Sequence, residues 1–452
     1  MKRITHKPTD VLVIGAGAAG LAAARELSHA GVRAIVIEAR RRVGGRIYTV
    51  RDSGSPYPIE LGAEFIHGEV DDTFAIVRAA RLLVDEIPDD HYHSRDGKLT
   101  IVADFWEKVE EVGQALARLA RRRPGRDLSF ADALDRLRVP SDLRQLVLDF
   151  VRGYHAADPD RISARFMAAG AESGNDASLN RQFRVTRGQD GILEWLRHGL
   201  DPERVELRLN TIATVLAWRR GEVTLRCLAG SGGELAPFRA RAAIVALPHA
   251  VLRGGGLELR PELTDKQRAL EQLEAGQVFK IGFRFRESFW EPENFVRQRL
   301  EKARPEPPAL NFVHGSHSAV PTWWTAVPVR APILTGWAGG PKAEALLDQD
   351  ELTRVDRSLT ALAEVLAVPR SMLDDLVEGW WTHDWRADPF SRGAYTYPKV
   401  GGIRAQDILA RPVDGTLFFA GEATDSEQTG TVAGAIGSGR RAARQVIRML
   451  GP

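Results

Sequence analysis

An α/β fold organised on a parallel sheet is predicted by three observations at the start of the chain. Val11-Leu12-Val13-Ile14 is a short all-apolar run of the kind a strand buried on both faces requires. Gly15, Gly17 and Gly20 follow at G-x-G-x-x-G spacing and open directly into the Ala-rich stretch Ala18–Arg25. A second apolar run, Val32–Ile37, then ends in Glu38, a carboxylate 18 residues beyond Gly20. Strand, glycine turn, helix, strand and terminal acid in this register define a Rossmann-type dinucleotide site.

Each glycine has its own task there. Gly15 permits the tight turn, Gly17 lets backbone approach a pyrophosphate, and Gly20 lets helix pack on strand. The unpaired N–H groups and positive dipole end around Ala19 face the phosphates, and Glu38 sits where an adenosine ribose needs an acceptor.

Length and composition set the limits. A chain of 452 residues exceeds one ordinary core, so two or three domains are expected. The hydrophobic fraction of 44% and charged fraction of 27% are those of a globular protein. A net charge of +2, with arginines interleaved among acids, leaves no nucleic-acid footprint. Arg121-Arg122-Arg123 closes a helical pattern, where cations suit the dipole. The single cysteine, Cys227, excludes an internal disulfide and reads as a small packed residue in an alternating strand. The dispersed histidines form no H-E-x-x-H pair, so no metal is expected. No apolar leader or membrane-length run is present, which makes a cytoplasmic protein without membrane partners the expectation. The pattern does not separate a monomer from a homodimer.

Further along, Gly44-Gly45-Arg46 forms a second glycine turn beside Ala39 and Arg40, with guanidinium groups suited to a phosphate. Residues 72–200 read as a helical insertion, with helical spacing over 105–119 and 143–151. Strands return at 205–209 and 214–218, with a hairpin turn at 219–222. The run 242–247 suits a buried parallel strand, and 416–422 is a strand ending in the Gly421-Glu422 turn. Gly430 to Met449 reads as a long helix. In Val278–Phe285, alternation puts Phe279, Ile281, Phe283 and Phe285 on one face and Lys280, Gly282 and Arg284 on the other. Spacing alone admits a half-exposed strand with solvated cations there.

These motifs, in order from end to end, resemble the flavin-containing amine oxidases: monoamine oxidases, polyamine oxidases and flavin histone demethylases. The likeness is strongest to the polyamine oxidases. Glu60-Leu61-Gly62-Ala63-Glu64-Phe65-Ile66-His67-Gly68 is similar to their E-L-G-A-T-W-I-H-G, and Asp388–Tyr395 to their D-P-Y-S-R-G-S-Y. The chain has no room for the coiled-coil insertion of the demethylases.

The resemblance implies a discontinuous FAD-binding domain over 1–75, 203–255 and 398–452, with 76–202 and 256–397 forming a mixed α+β substrate domain. Glu38 would hold the ribose, while Arg40, Gly45 and Arg46 approach pyrophosphate and ribitol. Gly62 and Ala63 belong to the same lining. The backbone of Ala213 would meet adenine, Glu422 would supply a second cofactor-binding acid, and Thr431-Val432 would meet the flavin at a helix start. Lys280 matches the lysine that holds a water at the flavin. His67 would orient the amine or accept its proton, and Tyr395 and Trp385 would line the flavin's substrate side. Ala394 replaces the cysteine to which monoamine oxidases attach flavin, which implies non-covalent FAD. Gln428 and Thr431 stand where relatives carry a second cage tyrosine, so the implied cage has one aromatic wall. Glu64 replaces the usual Thr, able to attract a cationic amine or to cap a turn. The implied reaction takes an amine to an imine, with water giving the carbonyl compound and oxygen giving hydrogen peroxide. An L-amino-acid oxidase, a carbon–carbon desaturase and a non-catalytic flavin-binding protein use the same scaffold.

Overall fold

The structure is a computed structural model and describes residues 9–55, 57–102, 104–122, 125–173 and 181–451. Arg123 of the arginine cluster lies outside them, as does the start of the chain before residue 9. At the centre is a five-stranded parallel sheet in the order Val205–Arg208, Ala34–Ile37, Val11–Ile14, Ala242–Val245, Leu417–Phe419. Four of these strands are continuously apolar because both faces are covered, whereas the edge strand Val205–Arg208 alternates and is partly exposed. Val11 and Val13 enter one core with the helices Ala18–His29 and Val432–Leu450, whereas Leu12 and Ile14 enter a second core. That second core also takes residues of the hairpin Thr211–Arg219/Glu222–Ala229. Cys227 is buried within it.

The nucleotide turn depends on missing side chains. Gly15 has φ +104, and a Cβ there would lie 2.7 Å from the Ala246 carbonyl oxygen. A Cβ on Gly20 would lie 1.8 Å from the Gly15 oxygen, so only glycine lets the helix start this close to the strand. Gly439 repeats the device between helices, where a Cβ would lie 2.1 Å from the Ala19 oxygen.

The helical insertion contains the helices Asp71–Ala80, Phe105–Arg122, Phe130–Leu137, Ser141–Tyr154, Ala164–Ser173 and Asp190–His198. It also contains strands that the helical reading missed, at Val84–Ile87, His91–Arg95, Lys98–Ile101 and Gln182–Val185. These are short, and most are completed by partners distant in sequence, so local periodicity is a weak guide to them. His91–Arg95 joins a seven-stranded sheet running Val377–Thr382, Val278–Phe285, Ile333–Gly339, Thr322–Thr325, Phe312–His314, His91–Arg95, Lys98–Ile101. One face of this sheet packs on the helices Pro341–Leu347 and Glu351–Leu366 through Phe279, Ile281, Phe283, Val313, Trp323 and Leu334. No helix among the described residues is long and apolar enough to cross a membrane.

Gly439→Ala adds a methyl group against a backbone carbonyl that cannot step aside. Overpacking of about 1–3 kcal/mol then exceeds the gain of up to about 1 kcal/mol from helix propensity. Calorimetry is expected to show a Tm several degrees below wild type.

Candidate active site

The other face of the seven-stranded sheet is the floor of a cavity of about 1590 Å³. Cross-strand registry aligns Lys280, Trp337, Thr322, His314 and His93 in one row. Trp324, Phe312 and His91 form the neighbouring row. Period-2 alternation therefore sends one set of side chains into the core and the other into the cavity. This volume exceeds the roughly 300–1,000 Å³ of ordinary single-ligand sites, leaving room for a dinucleotide and a second molecule.

The cavity begins at the glycine turn. Gly15, Gly17, Ala19, Glu38, Ala39, Arg40, Gly44, Gly45, Arg46, Gly62, Ala63, Ala213, Gly421, Glu422, Thr431 and Val432 line it together with Glu64, His67, Lys280, Trp385, Tyr395 and Gln428. Gly20 does not line it; its place is in the packing described above.

The residues present fit a dinucleotide. Gly17 is the N-cap of the first helix with no side-chain cap, and the atom nearest a Cβ there is 4.0 Å away. Open space thus meets a helix end whose N–H groups await an anion. The Glu38 carboxylate is fixed beside it by the N–H groups of Ala16 at 2.7 Å and Arg40 at 2.9 Å. The Arg40 guanidinium is itself held by Asp388, 2.8 Å away, and by Ser391. The Arg40 and His383 contacts keep the Asp388 carboxyl well below its usual range despite burial. Arg46 donates to Glu422 at 2.9 Å and to the Ala394 carbonyl, and Glu422 also accepts from Thr396.

Lys280 is 3% exposed, so its strand is not half-solvated. Its ammonium donates to Glu64 Oε2 at 2.7 Å and to the Gly62 carbonyl at 3.1 Å. Glu64 Oε1 accepts from Trp324 Nε1 at 3.0 Å, and Arg184 Nε lies 2.9 Å away, paired by charge without an aligned hydrogen bond. Burial raises the Glu64 pKa, but the charges of Lys280 and Arg184 and the hydrogen bonds outweigh it, leaving the carboxyl below 4.5. Both carboxylate oxygens are thereby occupied by protein groups. Trp385 is buried and donates to the Leu61 carbonyl at 2.9 Å, while Tyr395 donates to the Tyr154 carbonyl at 2.6 Å. Burial pushes His67 down to about 4, so its imidazole is neutral near pH 7. Thr431 caps the last helix by accepting from Gly434 N–H, and its hydroxyl donates to the Gln428 carbonyl. No group of three or more metal-ligating side chains occurs among the described residues.

Arg184, Trp324, Trp337 and Tyr154 were not singled out by sequence. An arginine inside the apolar strand Gln182–Val185 and the adjacent Trp323-Trp324 pair are the signals that point to the first two.

Fold and site together define an α/β protein whose glycine turn suits a dinucleotide, with a buried lysine beside an aromatic chamber. Residues 18–447 match the family model described as flavin-containing amine oxidoreductase, and the chain belongs to that family. It is 28% identical to polyamine oxidase 3 of Oryza sativa subsp. japonica, over 98% of this chain and 90% of that protein. It is 25% identical to human lysine-specific histone demethylase 2, over 97% of this chain and 53% of that longer protein. Among solved structures, putrescine oxidase bound to putrescine has a TM-score of 0.80 at 21% identity, covering 98% of this chain and 99% of that one. Cyclohexylamine oxidase from Brevibacterium oxydans has a TM-score of 0.79 at 20% identity, covering 98% and 100%.

Glu64→Gln leaves Lys280 and Arg184 buried without a counter-charge, a loss of about 3–5 kcal/mol. Because the folded pKa lies below the unfolded value, this stability is present above pH 4.5 and disappears as pH falls through the folded pKa. Urea unfolding is expected to show a large gap between variant and wild type at pH 7 that narrows in acid.

Proposed function

We propose that this protein is an FAD-dependent oxidase of amines, polyamines among them, assembled from an FAD-binding part at 1–75, 203–255 and 398–452 and a substrate part between. FAD, held without a covalent bond, supplies two-electron oxidation of the carbon next to nitrogen, and oxygen takes up the electrons as hydrogen peroxide. The observation that carries this reading is Lys280, buried at the end of a cavity that starts at the dinucleotide turn.

An ammonium has three N–H donors, and Lys280 commits two of them to Glu64 and Gly62. The third holds a water that adds to the imine carbon, releasing ammonia or the shortened amine and leaving a carbonyl compound. His67, neutral near pH 7, orients the amine by accepting a hydrogen bond from it, and the desolvated surroundings favour the unprotonated form whose α-carbon is oxidised. Tyr395 and Trp385 confine the amine and exclude bulk water. Arg46 bridges Glu422 and Ala394 next to the implied ribitol, and the uncapped helix at Gly17 neutralises phosphate charge.

The test is anaerobic titration of the flavin absorbance with monoamines, polyamines and L-amino acids, followed by air. An amine is expected to bleach it, with air restoring colour and releasing peroxide; a flavin bleached by no amine overturns the reading. Lys280→Met is expected to slow reoxidation or product release at least about tenfold, short of the roughly 10²–10⁴-fold effect of a side chain that itself transfers the proton. Unchanged reduction and reoxidation rates would remove Lys280 from the mechanism. Acid precipitation is expected to leave intact FAD in the supernatant, as Ala394 requires.

A further inference from the structure

Gln428 and Thr431 offer no second ring, yet the structure places one beside Tyr395. The helix Ser141–Tyr154 ends at the cavity, and its last carbonyl groups cannot be paired within the helix. Two cavity residues pair them instead. Trp337 Nε1 donates to the Gly153 carbonyl at 2.9 Å, and Tyr395 Oη donates to the Tyr154 carbonyl at 2.6 Å. Trp337 is the cross-strand partner of Lys280, so the helix end is tied to the catalytic strand's neighbour and to the expected cage tyrosine at once.

These bonds fix the backbone of Tyr154, and neighbouring rings hold its side chain. It stands edge-on to His67 at 5.2 Å and stacks on Phe150 at 5.0 Å, with Trp106 edge-on at 5.9 Å. Tyr154 still has 39% of its surface exposed and lines the cavity. An anchored ring with that much free face is a contact surface in waiting. Burial keeps its neighbours uncharged, with His67 and His155 both pushed down to about 4.

We infer that Tyr154 is the second aromatic wall of the substrate chamber and that the chamber takes an amine whose body is a flat apolar ring. The substrate assignment rests on the amine-oxidase reading; the ring-binding surface does not. The probe is 2-phenylpropan-2-amine, a ring-bearing amine with no hydrogen on the carbon next to nitrogen, titrated calorimetrically into the FAD-loaded protein. Tyr154→Leu is expected to weaken its binding about tenfold and Tyr154→Phe by less than about twofold, the scale of losing or keeping one aromatic contact. Binding of tert-butylamine, the same amine centre without a ring, is expected to be equal in all three. With benzylamine, Tyr154→Leu should raise KM about tenfold while the limiting rate of flavin reduction stays within about threefold, as loss of uniform binding requires.

Flavin spectrum and Tm matching wild type certify the variants. Equal probe affinity in wild type and Tyr154→Leu overturns the inference, and so does a Tyr154→Phe as weak as Tyr154→Leu, which would assign the effect to the hydroxyl. Tyr154-dependent probe binding in a protein that no amine reduces would keep the ring wall and overturn the amine-oxidase reading alone.

Discussion

The structure depends on a buried carboxylate. Glu64 is 9% exposed, and an unpaired charge at such depth costs several kcal/mol. Its partners come from separate elements: Lys280 from the strand Val278–Phe285, Arg184 from Gln182–Val185 and Trp324 from Thr322–Thr325. Meeting all of them at once leaves the loop after Leu61 a single position. That loop also carries the Gly62 carbonyl to Lys280 and the Leu61 carbonyl to Trp385. One electrostatic requirement therefore fixes the lysine, the tryptophan and the approach of the glycine-turn region to the seven-stranded sheet.

The same sheet explains why polar residues occupy strands that look like core. Phe279 and Trp323 face the helices, whereas Lys280, Thr322, His314 and His93 face the cavity across matched registers. The polar face is sheltered from bulk water by the helices above it, so its histidines are buried or half-buried without being inert. His91 Nδ1 meets His314 Nε2 at 2.8 Å, and its Nε2 donates to the Asp89 carboxylate at 2.9 Å. Stacking against Phe105 and Phe312 holds that pair flat.

What the sequence makes legible is what is local. The strand, Gly15, Gly17, Gly20 and Glu38 lie within one unit, and each answers a steric or electrostatic need of its neighbours. Alternation in Val278–Phe285 separates the lysine's face from the phenylalanines' face correctly, but it does not say whether water or protein covers the lysine. That depends on a loop more than two hundred residues earlier. Trp337 and Tyr154 give no local signal, since their roles exist only through contacts made across the fold. The strand His91–Arg95 forms a local hairpin with Lys98–Ile101 through the Asp96-Gly97 turn, a signal legible in the sequence. Only its place beside Phe312–His314 depends on a segment far along the chain.

In the proposed oxidase, Glu64 also bears on substrate choice. A carboxylate free in the chamber would reward any second ammonium on the substrate; one held between Lys280 and Arg184 offers that ammonium little. The reward shifts to the aromatic surfaces. Two of them, Tyr395 and Tyr154, are joined through a helix terminus whose carbonyl must be satisfied by something. A single hydrogen bond thus satisfies a backbone carbonyl and ties the Tyr395 side chain to the end of the helix that carries Tyr154. Flavin chemistry is common to the family and does not choose among amines. In the proposed oxidase the choice falls to walls of this kind, where position along the chain gives no hint of which rings will meet.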